Sequence, residues 1–144
     1  MSFFTKIILG TVLVLVAATA VILFFRSRES ARVEALLREA AGWAEQGDAD
    51  RLAALVDDEY EGGADEMRRS IREHLRAYDY EKVDVREVGV TVTGDEANAR
   101  ISARLHSAVI PYPVPETFLV KLRKRESGWR VVRVERAERE AVIK

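Results

Sequence analysis

The sequence predicts an α+β chain: an apolar helix, then helices that pack on a curved antiparallel sheet. Three observations predict it. Nineteen residues, Ile7 to Phe25, are uncharged and almost wholly apolar. Residues 33–78 repeat their apolar positions at three- and four-residue steps, the helical period. From residue 83 onward the period is two, with turn residues between the runs. Helical periods first and strand periods afterwards place helices on one face of an antiparallel sheet.

The apolar run comes first. As a helix it is about 28 Å long at ~1.5 Å per residue, close to the ~30 Å hydrocarbon core of a bilayer. Lys6 bounds it on one side and Arg26 and Arg28 on the other, with Phe3, Phe4, Phe24 and Phe25 near its ends, where rings favour the water interface. Residues 1–28 are therefore expected to be a single-pass anchor, helical over about 7–25, whose partner is the lipid bilayer. A cleaved signal peptide is the alternative, because Ala18-Thr19-Ala20 has small residues at the right spacing. Val21 to Phe25 prolong the apolar run past that point, whereas signal cores span about 7–15 residues. The Lys/Arg count favours a cytoplasmic C-terminal side. The habit of bacterial N-terminal anchors favours export, and an extracytoplasmic domain is the expectation adopted.

The next segment, residues 29–137, is expected to be one domain, followed by a charged tail at 138–144. Val33, Leu36, Leu37, Ala40, Trp43 and Ala44 form one apolar stripe, and Gly47 ends that helix. Ser30 is a possible cap for it; alternatively the helix runs straight on from the anchor. Asp48 and Asp50 suit the start of a short second helix carrying Leu52, Leu55 and Val56. Gly62-Gly63 breaks the chain before a third helix with Met67, Ile71, His74, Leu75 and Tyr78 on one face.

Val83 and Val85 then lead to Val88, Val90 and Val92, and the slip at Arg86-Glu87 predicts a bulge. Thr93 to Glu96 is a turn. Ala97, Ala99, Ile101, Ala103 and Leu105 alternate with Asn98, Arg100, Ser102, Arg104 and His106, a half-buried strand. Ala108 to Pro115 holds all three prolines and is expected to be a loop. Phe118, Val120 and Leu122 form another strand, and Ser127-Gly128 turns the chain into a last one, Trp129 to Val134.

Helix by helix and strand by strand, this order resembles the NTF2-like, cystatin-like superfamily: three helices on a curved sheet, together a cone. The carriers are Ala41-Gly42-Trp43-Ala44-Glu45-Gln46-Gly47-Asp48-Ala49-Asp50, Leu52 to Val56, Asp57-Asp58-Glu59-Tyr60, Val90 to Ala97 and Ser127 to Val132. The resemblance covers roughly Ser30 to Glu135. It implies a pocket between helices and sheet, in which enzymes of this fold place an acid or base and a tyrosine. The fold serves isomerases, dehydratases, adaptors and scaffolds alike, so it implies no reaction by itself.

The ligand-binding candidates are accordingly His74, Tyr78 and Tyr60. An imidazole in a partly dry pocket can act as a base near neutral pH, and a tyrosine can donate to a developing oxyanion. The plainer reading makes them packing residues with wet tips. Ile110, Tyr112 and Val114, on the proline-stiffened loop, are the partner-binding candidates; the same loop can instead cap the open end of the cone. His106 with Arg100 and Arg104 suits either an acidic partner or a solvated sheet face, and Asp57 to Glu59 either a cation or plain surface.

Composition narrows the classes. Lys6 is the only charge in the first 25 residues, and the chain as a whole, with 23 basic and 24 acidic residues, has a net charge of −1. Nucleic acid is not an expected partner. With no cysteine and two histidines, no metal site and no cofactor are expected. The leading expectation is a non-enzymatic, membrane-tethered domain that binds a partner protein or small ligand; membrane-anchored relatives of this fold include scaffold parts of bacterial secretion machines. A homodimer is a further expectation. The alternative is an isomerase- or dehydratase-like enzyme using His74 and Tyr60. An unfilled cavity of a few hundred Å³ with converging polar groups would favour it, and an interior filled with Leu, Val and Trp would not.

Overall fold

The computed structural model describes residues 3–137, so the charged tail expected at 138–144 lies outside the described residues, as do the side chains of Phe3 and Phe4. Helix α1 (Phe3–Glu45) is continuous, which resolves the choice left open at Ser30. Its apolar part is wholly exposed, and it is the one helix among the described residues long and apolar enough to cross a membrane. From Glu29 onward the same helix turns a stripe onto the sheet, with Val33 at 0% exposure and Leu37 buried.

Gly47 ends α1 for a conformational reason. Its φ of 68° is left-handed, and the Asp48 and Gly47 amides donate back to Trp43 O (2.8 Å) and Ala44 O (3.2 Å). These two bonds are the Schellman pair that satisfies the last carbonyls of a helix. Asp48 then caps α2 (Ala49–Ala54) by accepting from the Arg51 amide. Gly62 and Gly63, both at positive φ, turn the chain into α3 (Ala64–Tyr78).

Four strands follow as an antiparallel meander: β1 (Tyr80–Thr93), β2 (Glu96–Ser107), β3 (Val114–Arg125) and β4 (Gly128–Arg136). The bulge lies where the sequence places it, between Val85 and Glu87. Two expected boundaries move. Pro115 belongs to β3, facing Arg104, rather than to the loop; it lies ahead of Phe118, where pairing with β4 begins, and is thus on an edge stretch of the strand, where a proline is tolerated. Strand β4 runs to Arg136, because Arg136 registers opposite Phe118 and its guanidinium pairs with Glu116 at 3.2 Å.

The edge of β4 is covered by the α2–α3 loop. Val131 donates to Leu55 O (2.8 Å), Asp57 donates to Val131 O (2.8 Å) and Glu61 to Val132 O (3.0 Å). Arg125 clamps this loop by a two-pronged bond to Asp57 at 2.9 and 3.1 Å. Asp57 is thus covered by a guanidinium, neither presented to a cation nor left as plain surface, the two readings open for Asp57 to Glu59. That bond holds its carboxyl below the usual range against the opposing effect of burial.

The buried core gathers Val33 and Leu37 from α1 with Val92, Ala97, Ala99, Val120, Leu122, Trp129 and Val131. It fills one end of the cone, the end next to the apolar part of α1.

Candidate functional site

At the opposite end the interior is unfilled. Helix α3 packs on α2 and has no fully buried residue, although Met67, Ile71 and Leu75 form an apolar stripe. Polar ties hold it in place: Arg68 reaches Val56 O (3.0 Å) and Asp58 (2.8 Å), and Arg72 reaches Asp50 at 3.5 Å. Between that stripe and the sheet lies a cavity of about 400 Å³. Alanines of α1 (Ala40, Ala41, Ala44) and β2 (Ala103) leave the room, and Ile71, Leu75, Val83, Val85 and Phe118 are among the walls. Polar side chains are few on this wall: Ser70, His74 and Tyr80.

His74 and Tyr80 meet there, His74 Nε2 lying 2.6 Å from the Tyr80 hydroxyl. Tyr78 completes an aromatic cluster, its ring 4.4 Å from His74 and stacked near-parallel on Tyr80 at 6.1 Å. Burial, aided by the Arg136 cation, pushes the His74 imidazole below its ordinary value of 6.5, although its outer side remains accessible. Burial and the neighbouring Tyr78 push the Tyr80 phenol above 10.0. Both groups are therefore neutral near pH 7. Whichever imidazole tautomer is present, one partner of the bond donates and the other accepts, so the pair keeps one N–H or O–H donor and one acceptor lone pair free for a guest. The pair can hold one hydroxyl or carbonyl of a guest.

A second hollow of about 180 Å³ adjoins the first and shares His74, Tyr80 and Leu105 with it. Ile110, Val114, Ser107, Glu116 and Arg136 form its rim. Ser107 fastens this end together: its hydroxyl donates to Tyr78 O and accepts from the Val109 amide at 3.2 Å.

The residues singled out from sequence separate. His74 and Tyr78 stand at the cavity end as one cluster. Tyr60 stands apart, accepting from the Val134 amide at 3.1 Å on the covered sheet edge. Ile110 and Val114 border the smaller hollow, while Tyr112 is 65% exposed on the loop tip. His106, Arg100 and Arg104 lie along β2 away from the cavity. Sequence reasoning missed Tyr80, Glu116 and Arg136. By strict alternation Tyr80 falls on the opposite face from Val83 and Val85. A register shift between Tyr80 and Lys82 turns it to the cavity side.

Structural comparison places the chain among known folds. An NTF2-like protein with a cystatin-like fold from Novosphingobium aromaticivorans superposes with a TM-score of 0.61 at 23% identity, over 83% of this chain and 86% of the other. The fold is NTF2-like. A Mycobacterium tuberculosis protein of unknown function aligns with a TM-score of 0.68 at 17% identity, covering 81% of this chain and 80% of its own. A candidate dehydratase of the NTF2-like family from Streptomyces avermitilis gives 0.65 at 18% identity, over 80% of this chain and 99% of the other. No protein-family model and no curated protein matches the chain. At these identities the likeness concerns the NTF2-like fold, and function has to be argued from the cavity.

Proposed function

We propose that this NTF2-like domain is tethered to a membrane by α1 and binds a small, mostly apolar molecule in its cone, without transforming it. The unfilled cavity of about 400 Å³ carries the reading. A domain that served only as a scaffold would gain by filling such a space, because each buried methylene stabilises by ~0.8 kcal/mol. Wall chemistry sets the ligand class. The lining is apolar, and its polar side chains concentrate at the His74–Tyr80 pair, which suits a guest with an apolar body and one hydroxyl or carbonyl.

Titration of the full chain with naphthol tests this, followed through the methyl resonances of Met67 and Ile71. Saturable shifts are expected, weakened about tenfold in Tyr80→Phe for one lost hydrogen bond of ~1.4 kcal/mol. Absence of any shift refutes the proposal.

A second reading has one specific observation behind it: a neutral imidazole beside a phenol in an apolar cavity can abstract a proton next to a carbonyl. The candidate dehydratase among the structural neighbours is consistent with it. Conversion of a β-hydroxy ketone to the enone, lost in His74→Gln while naphthol binding survives, would replace binding by catalysis as the function.

A further inference from the structure

The two ends of the cone stand at different heights along α1, and α1 is unbroken. Glu29, four residues past Phe25, accepts from Trp129 Nε1 at 2.9 Å and pairs with Lys124 at 3.3 Å. Burial pushes its carboxyl up, but the Trp129 indole, Lys124 and Arg32 together hold it below its usual value, so it stays an anion. At the other end of the domain's share of α1, Glu45 accepts from the Val83 amide at 2.7 Å. The sixteen helical steps from Glu29 to Glu45 amount to about 24 Å at ~1.5 Å each.

Strand directions complete the geometry. Strand β1 begins at the Glu45 level and ends at Thr93, near the Val33 level, and β3 runs the same way because both flank β2 antiparallel. The β1–β2 turn at Gly94-Asp95 and the β3–β4 turn at Glu126-Ser127 therefore lie together at the anchor end, joined by the Lys124 amide donating to Asp95 O at 2.7 Å. The His74–Tyr80 pair, Tyr112 and the small hollow lie at the far end.

Headgroups extend about 5–7 Å beyond the hydrocarbon on each side. Glu29 is about 6 Å past Phe25 along the helix, inside that layer. Arg26 and Arg28, about 1.5 and 4.5 Å past Phe25, lie in the same layer and, among the described residues, make no ion pair with the protein. Phosphates are the natural partners for cations at that depth.

We propose that the two hairpin turns form a rim seated on the lipid headgroups, and that α1 is a rigid post. It holds the cavity mouth and the Tyr112 loop toward the aqueous phase, away from the bilayer. This rests on the tether reading. The residues from Arg26 to Ala41 contain neither proline nor glycine, and the helix is braced by a Glu29–Arg32 pair at 3.0 Å and, on its exposed side, by a Glu34–Arg38 pair at 3.1 Å. The guest is accordingly taken from water or from a partner protein, not from the bilayer core.

The chain has no cysteine, so single labels are unambiguous. Asp95→Cys, Glu126→Cys and Tyr112→Cys, each in the full chain, are labelled with a small fluorophore and reconstituted into phosphatidylcholine vesicles carrying a nitroxide on the lipid headgroup. Flotation is measured first. A chain that fails to float refutes the tether, and this inference with it. In floating chains, strong quenching at residues 95 and 126 and near-background quenching at 112 is the expected result. Equal quenching at all three sites, in chains that float, overturns the orientation and leaves the tether standing. Arg28→Pro added to each label tests the post. Flotation and the Trp129 emission should persist while the contrast between sites disappears. A contrast that survives the proline refutes α1 as its cause.

Discussion

Replacing Ala103 by leucine should stabilise this protein, against the usual sign for enlarging a buried residue. Ala103 is 5% exposed, lies on β2 and borders the cavity. Three added carbons at ~0.8 kcal/mol per buried methylene give about 2.4 kcal/mol. Fixing the new side chain costs roughly 0.5–1 kcal/mol of rotamer freedom, leaving about 1.5 kcal/mol. For a domain of this size, about 4 °C per kcal/mol converts the gain to a Tm rise of ~6 °C. Thermal melts of the full chain in nanodiscs, followed by tryptophan emission, measure it, since Trp129 is part of the buried core. The same variant should lose naphthol binding. Were α3 in truth pressed onto the sheet, the leucine would overpack the interior and cost about 1–3 kcal/mol. A fall in Tm therefore refutes the unfilled cavity and the function built on it.

Four other outcomes follow from the same geometry. Tyr60→Phe leaves the Val134 amide without its acceptor and should cost about 1 kcal/mol in the same melts without altering naphthol affinity. Asp57→Asn removes the anion that Arg125 grips and should cost about 1–3 kcal/mol. Because the folded Asp57 titrates below its ordinary 3.8, its stabilisation is complete above that pH and is lost as pH falls through the lowered value, so D57N should flatten the acid limb of a Tm-versus-pH curve. His74 titrates below 6.5 when folded, so the unfolded chain binds more protons in the window just beneath that value; stability should decline there as pH falls, and His74→Gln should remove the decline. Gly47→Ala, at φ 68°, should cost about 1 kcal/mol by forcing a Cβ into the left-handed region, with nothing close enough to clash.

Much of this architecture was legible because local chemistry and tertiary demand coincide. Gly47, Asp48 and Gly62-Gly63 are breaks that the backbone alone requires, and the structure uses all of them. The bulge at Arg86 was legible because Val85 and Val88 cannot share a face without it. The site was less legible. His74 and Tyr78 lie on a periodic helix face, so their neighbourhood could be read. Tyr80 could not, because its inward aim depends on a register shift that pairing with Ser107 and His106 imposes from another strand. Glu116 and Arg136 were equally hidden: each is an ordinary charged residue until β3 and β4 align and bring them within 3.2 Å. Tyr60 shows the converse. An aromatic next to an acidic loop suits a pocket as well as an edge, and only the Val134 amide, seventy-four residues on, decides between them.

The distribution of filled and unfilled interior follows from the path of α1. Helix α1 carries both the exposed apolar run and one wall of the cone, and its buried residues, Val33 and Leu37, join Leu122 and Trp129 in the core at the end where it enters the domain. Further along, its facing residues shrink to Ala40, Ala41 and Ala44, while α3 is held off the sheet by arginine bonds to α2 and its loop rather than by apolar burial. A cone that only needed to be stable would place leucines at those alanines. Their placement, together with the polar pair at the mouth, separates two regions within about 24 Å of helix: a dense base beside the apolar run of α1, and an open far end, the division that the proposed tethering and binding would need.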